Sequence, residues 1–306
     1  MAEVLCLGDS CADIIIPYGE SLTDQDVSVV FNCGGAAANT AFALGRLGVS
    51  VAFAGKAGVD LYGLSMRKEL VENNVDVSSF ILSDKLVSTQ ILIVIDEKGD
   101  RHPFLMPKKD PSYLEIYPEE LEQIDLREMK YIITNGMMLF EDPAASTIVS
   151  FLEKARERGI KIMLDLNFRP ETAGKDRSHL NKVIAMTDIL LGSADEDFAI
   201  LTGKKDLKEA VKDLQEADRT IVAHDKNGST VFEKDRTYHT DSYKVEVADT
   251  IGAGDVFNAG FIYGLIQGKG PDECNRLGCA AAAYSLMRPG ARNTPDPEEL
   301  YRFMKV

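Results

Sequence analysis

The 306 residues, 45% of them hydrophobic, suffice for a large buried core in one to three domains. A net charge of −15 argues against nucleic acid as the main partner, because no surplus of cations remains to neutralise phosphates; one phosphorylated ligand still needs only a local site. Five cysteines without C-x-x-C spacing and only 4 histidines argue against zinc and for free thiols, and no leader or apolar run of about 20 residues points to secretion or a membrane, so the expectation is a cytoplasmic protein.

Residues 4–8 read as a buried strand, followed by Asp9, Asp13 and an apolar triplet at 14–16. A second β-like run at 27–31 leads to Cys33-Gly34-Gly35, and the small apolar residues of 36–47 suit a buried helix. A strand at 51–54 and a helix at 61–72 come next. The pattern then changes: 87–95 and 102–106 read as strands joined by the polar turn 96–100, with no helix between them. They are assigned to a small separate sheet with the strands near 14–16 and 27–31. Alternation resumes with strands at 131–134, 161–165, 188–191 and 220–223 and helices at 144–158, 177–186, 195–202 and 207–216. A hairpin at 230–239, a strand-like alternation at 243–247 and helices at 254–267, 271–286 and 296–304 close the chain. Strands alternating with helices imply an α/β fold, a mostly parallel sheet covered on both faces. With no repeat and no linker, the expectation is one domain over 1–306, carrying a β lid formed from about 12–32 and 87–106.

The richest stretch is Asp249-Thr250-Ile251-Gly252-Ala253-Gly254-Asp255, where alternation gives way to helical spacing. A helix starting behind Gly252-Ala253-Gly254 presents free amides and a positive dipole end, and the near absence of side chains lets a phosphate approach. Asp255 at that mouth repels a phosphate but suits a base that takes a proton from an attacking hydroxyl. The plainer alternative is close helix–strand packing with Asp255 as a cap. Gly34-Gly35 is either a tight turn or a ligand loop; Asn39, in an otherwise small apolar helix start, needs partners that a polyhydroxylated ligand would supply. Asp9 and Asp13 are either strand-end turn formers or acceptors for vicinal hydroxyls. The run Asp165-Leu166-Asn167-Phe168-Arg169-Pro170 ends a strand, and Arg169 offers a forked cation for a phosphate or a carboxylate. No G-x-G-x-x-G fingerprint is present, which disfavours a nucleotide-dependent oxidoreductase.

D-T-x-G-A-G-D-x-F-x-x-G from Asp249 to Gly260 resembles the C-terminal signature of the ribokinase-like (PfkB) carbohydrate kinases. Gly8-Asp9 with Asp13, and Gly34-Gly35 with Asn39, resemble the N-terminal signature; D-x-N-x-R-P at 165–170 is similar to fructokinases and 2-keto-3-deoxygluconate kinases. The resemblance implies a Rossmann-like fold with a β lid and transfer of a phosphoryl group from ATP to a sugar or sugar-acid hydroxyl. It assigns Asp255 as base and Gly252, Ala253 and Gly254 as the anion hole. Asp13, Gly34, Gly35, Asn39, Asn167 and Arg169 fall on the sugar, with Arg101 either a solvated turn residue or a lid contact. Nucleotide contacts fall on Lys226, Gly228 and Ala282, the last on a helix whose small residues also serve packing. A monovalent cation, potassium, falls near Asp249 and Ile251, and a homodimer is expected through the lid sheet.

Two departures stand out. The family's N-x-x-E element, which organises magnesium and its waters, is here Ala194-Asp195-Glu196-Asp197, leaving Asp195 and Asp197 as water-mediated ligands. Its G-x-x-G turn is here Asp225-Lys226-Asn227-Gly228. These departures keep a second reading open, a non-catalytic sugar- or nucleotide-binding regulatory protein on the same fold.

Overall fold

The run Val4-Leu5-Cys6-Leu7 is buried on both faces and forms β1 (Val4–Leu7). A computed structural model describes residues 2–16, 29–95, 101–106, 110–168, 172, 174–215 and 219–305. After β1 come β2 (Cys11–Ile16), β3 (Val30–Gly34), α1 (Ala36–Arg46), β4 (Val51–Gly58), α2 (Leu61–Glu72), β5 (Val75–Asp76), β6 (Phe80–Ser83), β7 (Gln90–Ile95) and β8 (Arg101–Met106). The middle of the chain supplies α3 (Pro118–Leu121), β9 (Tyr131–Asn135), α4 (Ala144–Glu157), β10 (Lys161–Asp165), α5 (Ser178–Met186), β11 (Ile189–Ser193), α6 (Asp197–Thr202), α7 (Leu207–Leu214) and β12 (Thr220–Asp225). It ends with β13 (Gly228–Phe232), β14 (Thr237–Asp241), α8 (Ala253–Ile266), α9 (Pro271–Leu286) and α10 (Pro297–Phe303).

A 10-stranded sheet runs in the order β14-β13-β12-β11-β10-β9-β1-β4-β5, with β6 beside β4. Its pairs are parallel from β12 to β5, while β13 and β14 are antiparallel. Side chains alternate between two cores, as the pleat requires. Val4 and Cys6 face the core built with α1, α8 and α9, and Leu5 and Leu7 face the one built with α4, α5 and α7. Burial on both faces explains why these strands are apolar throughout. Chain order reverses at β1, between β4 and β9, so a crevice lies off the carboxyl ends of β1 and β9.

The small sheet runs β3-β2-β7-β8, with 4 strands. β2 lies antiparallel to β3 and parallel to β7, and β7 lies antiparallel to β8. Residues 27–28 and the turn 96–100 are outside the described residues.

Residues 243–247 alternate as expected but form no strand. β14 already ends the sheet, and the segment packs on helices instead. The Tyr243 ring lies 5.3 Å from Phe303, and Ala248 N donates to Leu286 O at 2.7 Å. Alternation there records one packed face rather than a pairing partner. Among the described residues, no helix is long and apolar enough to cross a membrane.

Candidate active site

The start of α8 is shaped by the turn before it. Asp249 accepts from Ile251 N at 3.1 Å and from Gly290 N at 3.0 Å, tying this turn to the 288–293 loop. Gly252 caps the helix in the left-handed region, φ 75°, where a Cβ would stand 2.6 Å from Ala291 O. Only glycine tolerates both demands. Among the described residues, no side chain accepts from the amides of Ala253 or Gly254; Ala253 N makes one long bond of 3.4 Å to Thr250 O. The positive end of a 14-residue helix therefore faces the crevice. Asp255, in its first turn, accepts from Asn39 Nδ2 at 2.9 Å.

Beside it lies the start of α1, built differently. Asp9, buried behind β1, accepts from Ala36 N at 2.9 Å, Ala37 N at 3.1 Å and Asn135 Nδ2 at 2.7 Å. One carboxylate thus caps α1 and reaches across to the end of β9. Gly35 has φ 99°, and a Cβ on it would meet Asp9 O at 2.6 Å. The Asp13 carboxylate lies over Gly34, 2.5 Å from where a Cβ would be, and Cys11 Sγ donates to it at 3.5 Å. Asp13, Gly34, Gly35, Asn39, Asp255 and Gly252 thus form one continuous run.

Arg292, which the sequence reading passed over, reaches the same run. Its Nε donates to Asn39 Oδ1 at 3.0 Å and its Nη1 to Glu69 Oε2 at 2.8 Å. Burial pushes the Cys33 thiol, near the same pair, up to about 12 despite the pull of the guanidinium. A charge directly after Gly290-Ala291 was the sequence signal. Asn258 was also missed; it lies one turn beyond Asp255 and donates to Asp165 Oδ2 at 3.0 Å, joining α8 to β10.

At the end of β10, Asn167 has φ 40°, unusual for a non-glycine residue, and its buried Nδ2 has no partner among the described residues. Arg169 and the Arg101 side chain lie outside the described residues.

The acids near α6 separate into two kinds. Asp195 is exposed. Asp197 is buried and accepts from Phe168 N, Ser193 N and Ser193 Oγ, each at 2.8 Å. Its oxygens hold the 168 and 193 backbones together.

Lys226 is exposed in the two-residue loop between Asp225 and Gly228. Asp225 accepts from Asn227 N at 2.6 Å, so its charge closes its own turn. His224, missed in the sequence, lies against α8 instead. Its ring is 5.2 Å from Phe257, and its Cε1 would be 3.6 Å from a Cβ on Gly254. Burial lowers its pKa, opposed by Asp197, Asp225 and Asp195. Ala282 packs half-buried on the α8–α9 core.

Comparison with known proteins matches residues 1–299 to the pfkB family of carbohydrate kinases. A 5-dehydro-2-deoxygluconokinase of Halalkalibacterium halodurans is 25% identical over 309 residues, covering 97% of this chain and 93% of the relative. A fructokinase of Xylella fastidiosa with bound ATP superposes with a TM-score of 0.88 at 20% identity, covering 100% of this chain and 99% of that one. A fructokinase double mutant of Vibrio cholerae, with fructose, ADP and potassium ion bound, gives 0.83 at 22% identity, covering 99% and 98%. At such identities the two structures show the shared fold.

Proposed function

The chain belongs to the pfkB family of carbohydrate kinases, and on that footing we propose that it transfers the γ-phosphoryl group of ATP to a hydroxyl of a sugar acid resembling 5-dehydro-2-deoxygluconate or 2-keto-3-deoxygluconate. The observation that carries the chemistry is the Asp255 carboxylate, turned toward Asn39 at 2.9 Å beside the uncapped start of α8. Asp255 takes the proton of the acceptor hydroxyl as that oxygen attacks. The Gly252–Gly254 amides take up charge on the transferring phosphoryl group. Both groups act mainly by position and electrostatics.

On the sugar side, Asp13 and the Gly34–Gly35 backbone are proposed to meet hydroxyls. The Nδ2 of Asn167, buried without a partner among the described residues, supports a ligand at the end of β10. Arg169, two residues further on, is proposed to meet the substrate carboxylate. That role and the naming of the relative favour a sugar acid over fructose. Lys226, Gly228 and the α9 wall at Ala282 are proposed for the nucleotide.

Among the described residues, no group of three or more His, Cys, Asp or Glu side chains could hold a metal ion. Magnesium brought on ATP needs few protein carboxylates, which meet it through water, and the exposed Asp195 is the proposed contact. Bound there, magnesium would neutralise phosphate charge. Potassium is proposed at Asp249 and Ile251, where Asp249 draws the turn and the 288–293 loop together. The exposed Phe31, Phe104 and Met106 of the small sheet support a lid and a homodimer through that sheet.

The test is ADP release by purified protein with magnesium and ATP over ribose, fructose and the two keto-deoxy sugar acids. The highest kcat/KM is expected for a sugar acid. Sugar binding without ADP release from any of them would favour the regulatory reading instead.

A further inference from the structure

We infer that Arg292 is a positioning residue for phosphoryl transfer, holding the Asp255 carboxylate in its proton-accepting orientation through the Asn39 amide. The inference rests on Asp255 being the base.

An arginine only donates, and an ionised carboxylate only accepts. Asn39 stands between one of each: Oδ1 receives Arg292 Nε at 3.0 Å, and Nδ2 serves Asp255 at 2.9 Å. Only one orientation of the amide satisfies both ends, so Arg292 fixes which edge of Asn39 faces the base. Arg292 is itself clamped. Its side chain is 7% exposed, its guanidinium lies 5.3 Å from the Phe42 ring centroid, and Glu69 on α2 takes Nη1. The base is thereby braced from α1, α2 and the 288–293 loop together.

Stability alone gives no reason for this arrangement. Buried ion pairs are often matched by apolar side chains of similar size. Here the arginine also carries a cost, because Nη2 is buried without a partner among the described residues. What an apolar residue could not supply is the directed hydrogen bond to Asn39.

Arg292→Gln should lower kcat by about 10- to 100-fold, the scale of a small misplacement of a reacting group, while leaving the KM for ATP within about threefold. If Arg292→Gln melts below the assay temperature, Arg292→Lys carries the test, since it keeps a charge against Glu69 and a donor toward Asn39 or Glu69, though not both. It should retain more kcat than Gln but less than the parent. With Asn39→Ala, the double variant should lose little more than the worse single one, because both act along one path.

Arg292 also borders a cavity of about 530 Å³ lined by Cys33, Lys68, Glu69 and Arg288, which gives small solutes access. Millimolar guanidinium, far below denaturing levels, should therefore restore part of the turnover of Arg292→Ala. Parental kcat in a folded Arg292 variant, or fully additive losses with Asn39→Ala, would overturn the inference. Asp255→Asn is run alongside. Turnover retained there overturns the base assignment and this inference with it; turnover lost there but kept in the Arg292 variant overturns this inference alone.

Discussion

Two helices begin side by side in the crevice, and their starts are treated in opposite ways. Both are entered through a glycine with positive φ, Gly35 before α1 and Gly252 before α8. The α1 amides of Ala36 and Ala37 are taken by Asp9, a carboxylate from 27 and 28 positions earlier in the chain. The amides of Ala253 and Gly254 meet no side chain among the described residues, and the acid nearest them, Asp255, is turned aside toward Asn39. A helix start that carries its own anion gains stability and has little affinity left for another. One that lacks it can receive a phosphoryl group. The contrast separates the acids that hold the fold from the acid proposed as the base.

The contrast breaks most visibly at Asp255. Asp255→Asn keeps the size and removes the base, so turnover should fall by at least about 10²-fold. Sugar binding, followed by calorimetry, should persist. A folded variant with near-parental turnover would remove Asp255 from the chemistry.

At Asp9 the loss should appear in stability. Asp9→Asn sets an amide NH₂ among three donors, Ala36 N, Ala37 N and Asn135 Nδ2. The expected cost is on the order of 3 kcal/mol, from hydrogen bonds to a buried charge. Urea unfolding measures it. The kcat at saturating substrate should fall far less than in Asp255→Asn; an equal fall would make the two helix starts functionally alike.

The sequence carried the fold because its signals were long. Strands buried on both faces are apolar throughout, and the missing helix between 95 and 101 marked the small sheet. β5 and β6, with 2 and 4 residues, are too short to show a period. That Asp13, Gly34, Gly35, Asn39 and Asp255 would gather was legible because each follows a strand or opens a helix, where the ends of parallel strands converge. Their bracing was not: Arg292–Asn39 spans 253 positions and Asn135–Asp9 spans 126, and no local pattern encodes such pairs. The fastening of Asp197 to the 168 and 193 backbones was equally illegible, since a motif position says nothing of which donors its oxygens will find.

Asp195 and Asp197 sharpen the same contrast on the metal side. Asp197→Asn should cost about 1.5–3 kcal/mol through its lost charged acceptor and leave the magnesium concentration for half-maximal rate unchanged. Asp195→Asn should do the opposite, raising that concentration with little change in melting temperature. If the two outcomes are exchanged, the carboxylate fastened to the backbone is the metal ligand after all.

The smallest effect is expected at Asp60, which caps α2 as Asp9 caps α1 but half in solvent. Its Oδ1 accepts from Gly63 N at 2.9 Å and Ser88 Oγ at 2.7 Å, and its Oδ2 accepts from Ser88 N at 2.8 Å. Burial alone would raise its pKa, but the hydrogen bonds from Gly63 and Ser88 together outweigh it and hold the folded carboxyl below the usual aspartate value. The unfolded chain therefore takes up the proton first as pH falls. The stabilisation from this carboxylate is complete above the unfolded value and is lost as pH drops through the folded one. Asp60→Ala should cost about 1 kcal/mol at pH 7, the usual worth of such a cap. The gap between parent and variant in urea unfolding should stay constant at neutral pH and narrow below about pH 4. A gap that stays level into acid would mean the cap works through shape rather than charge.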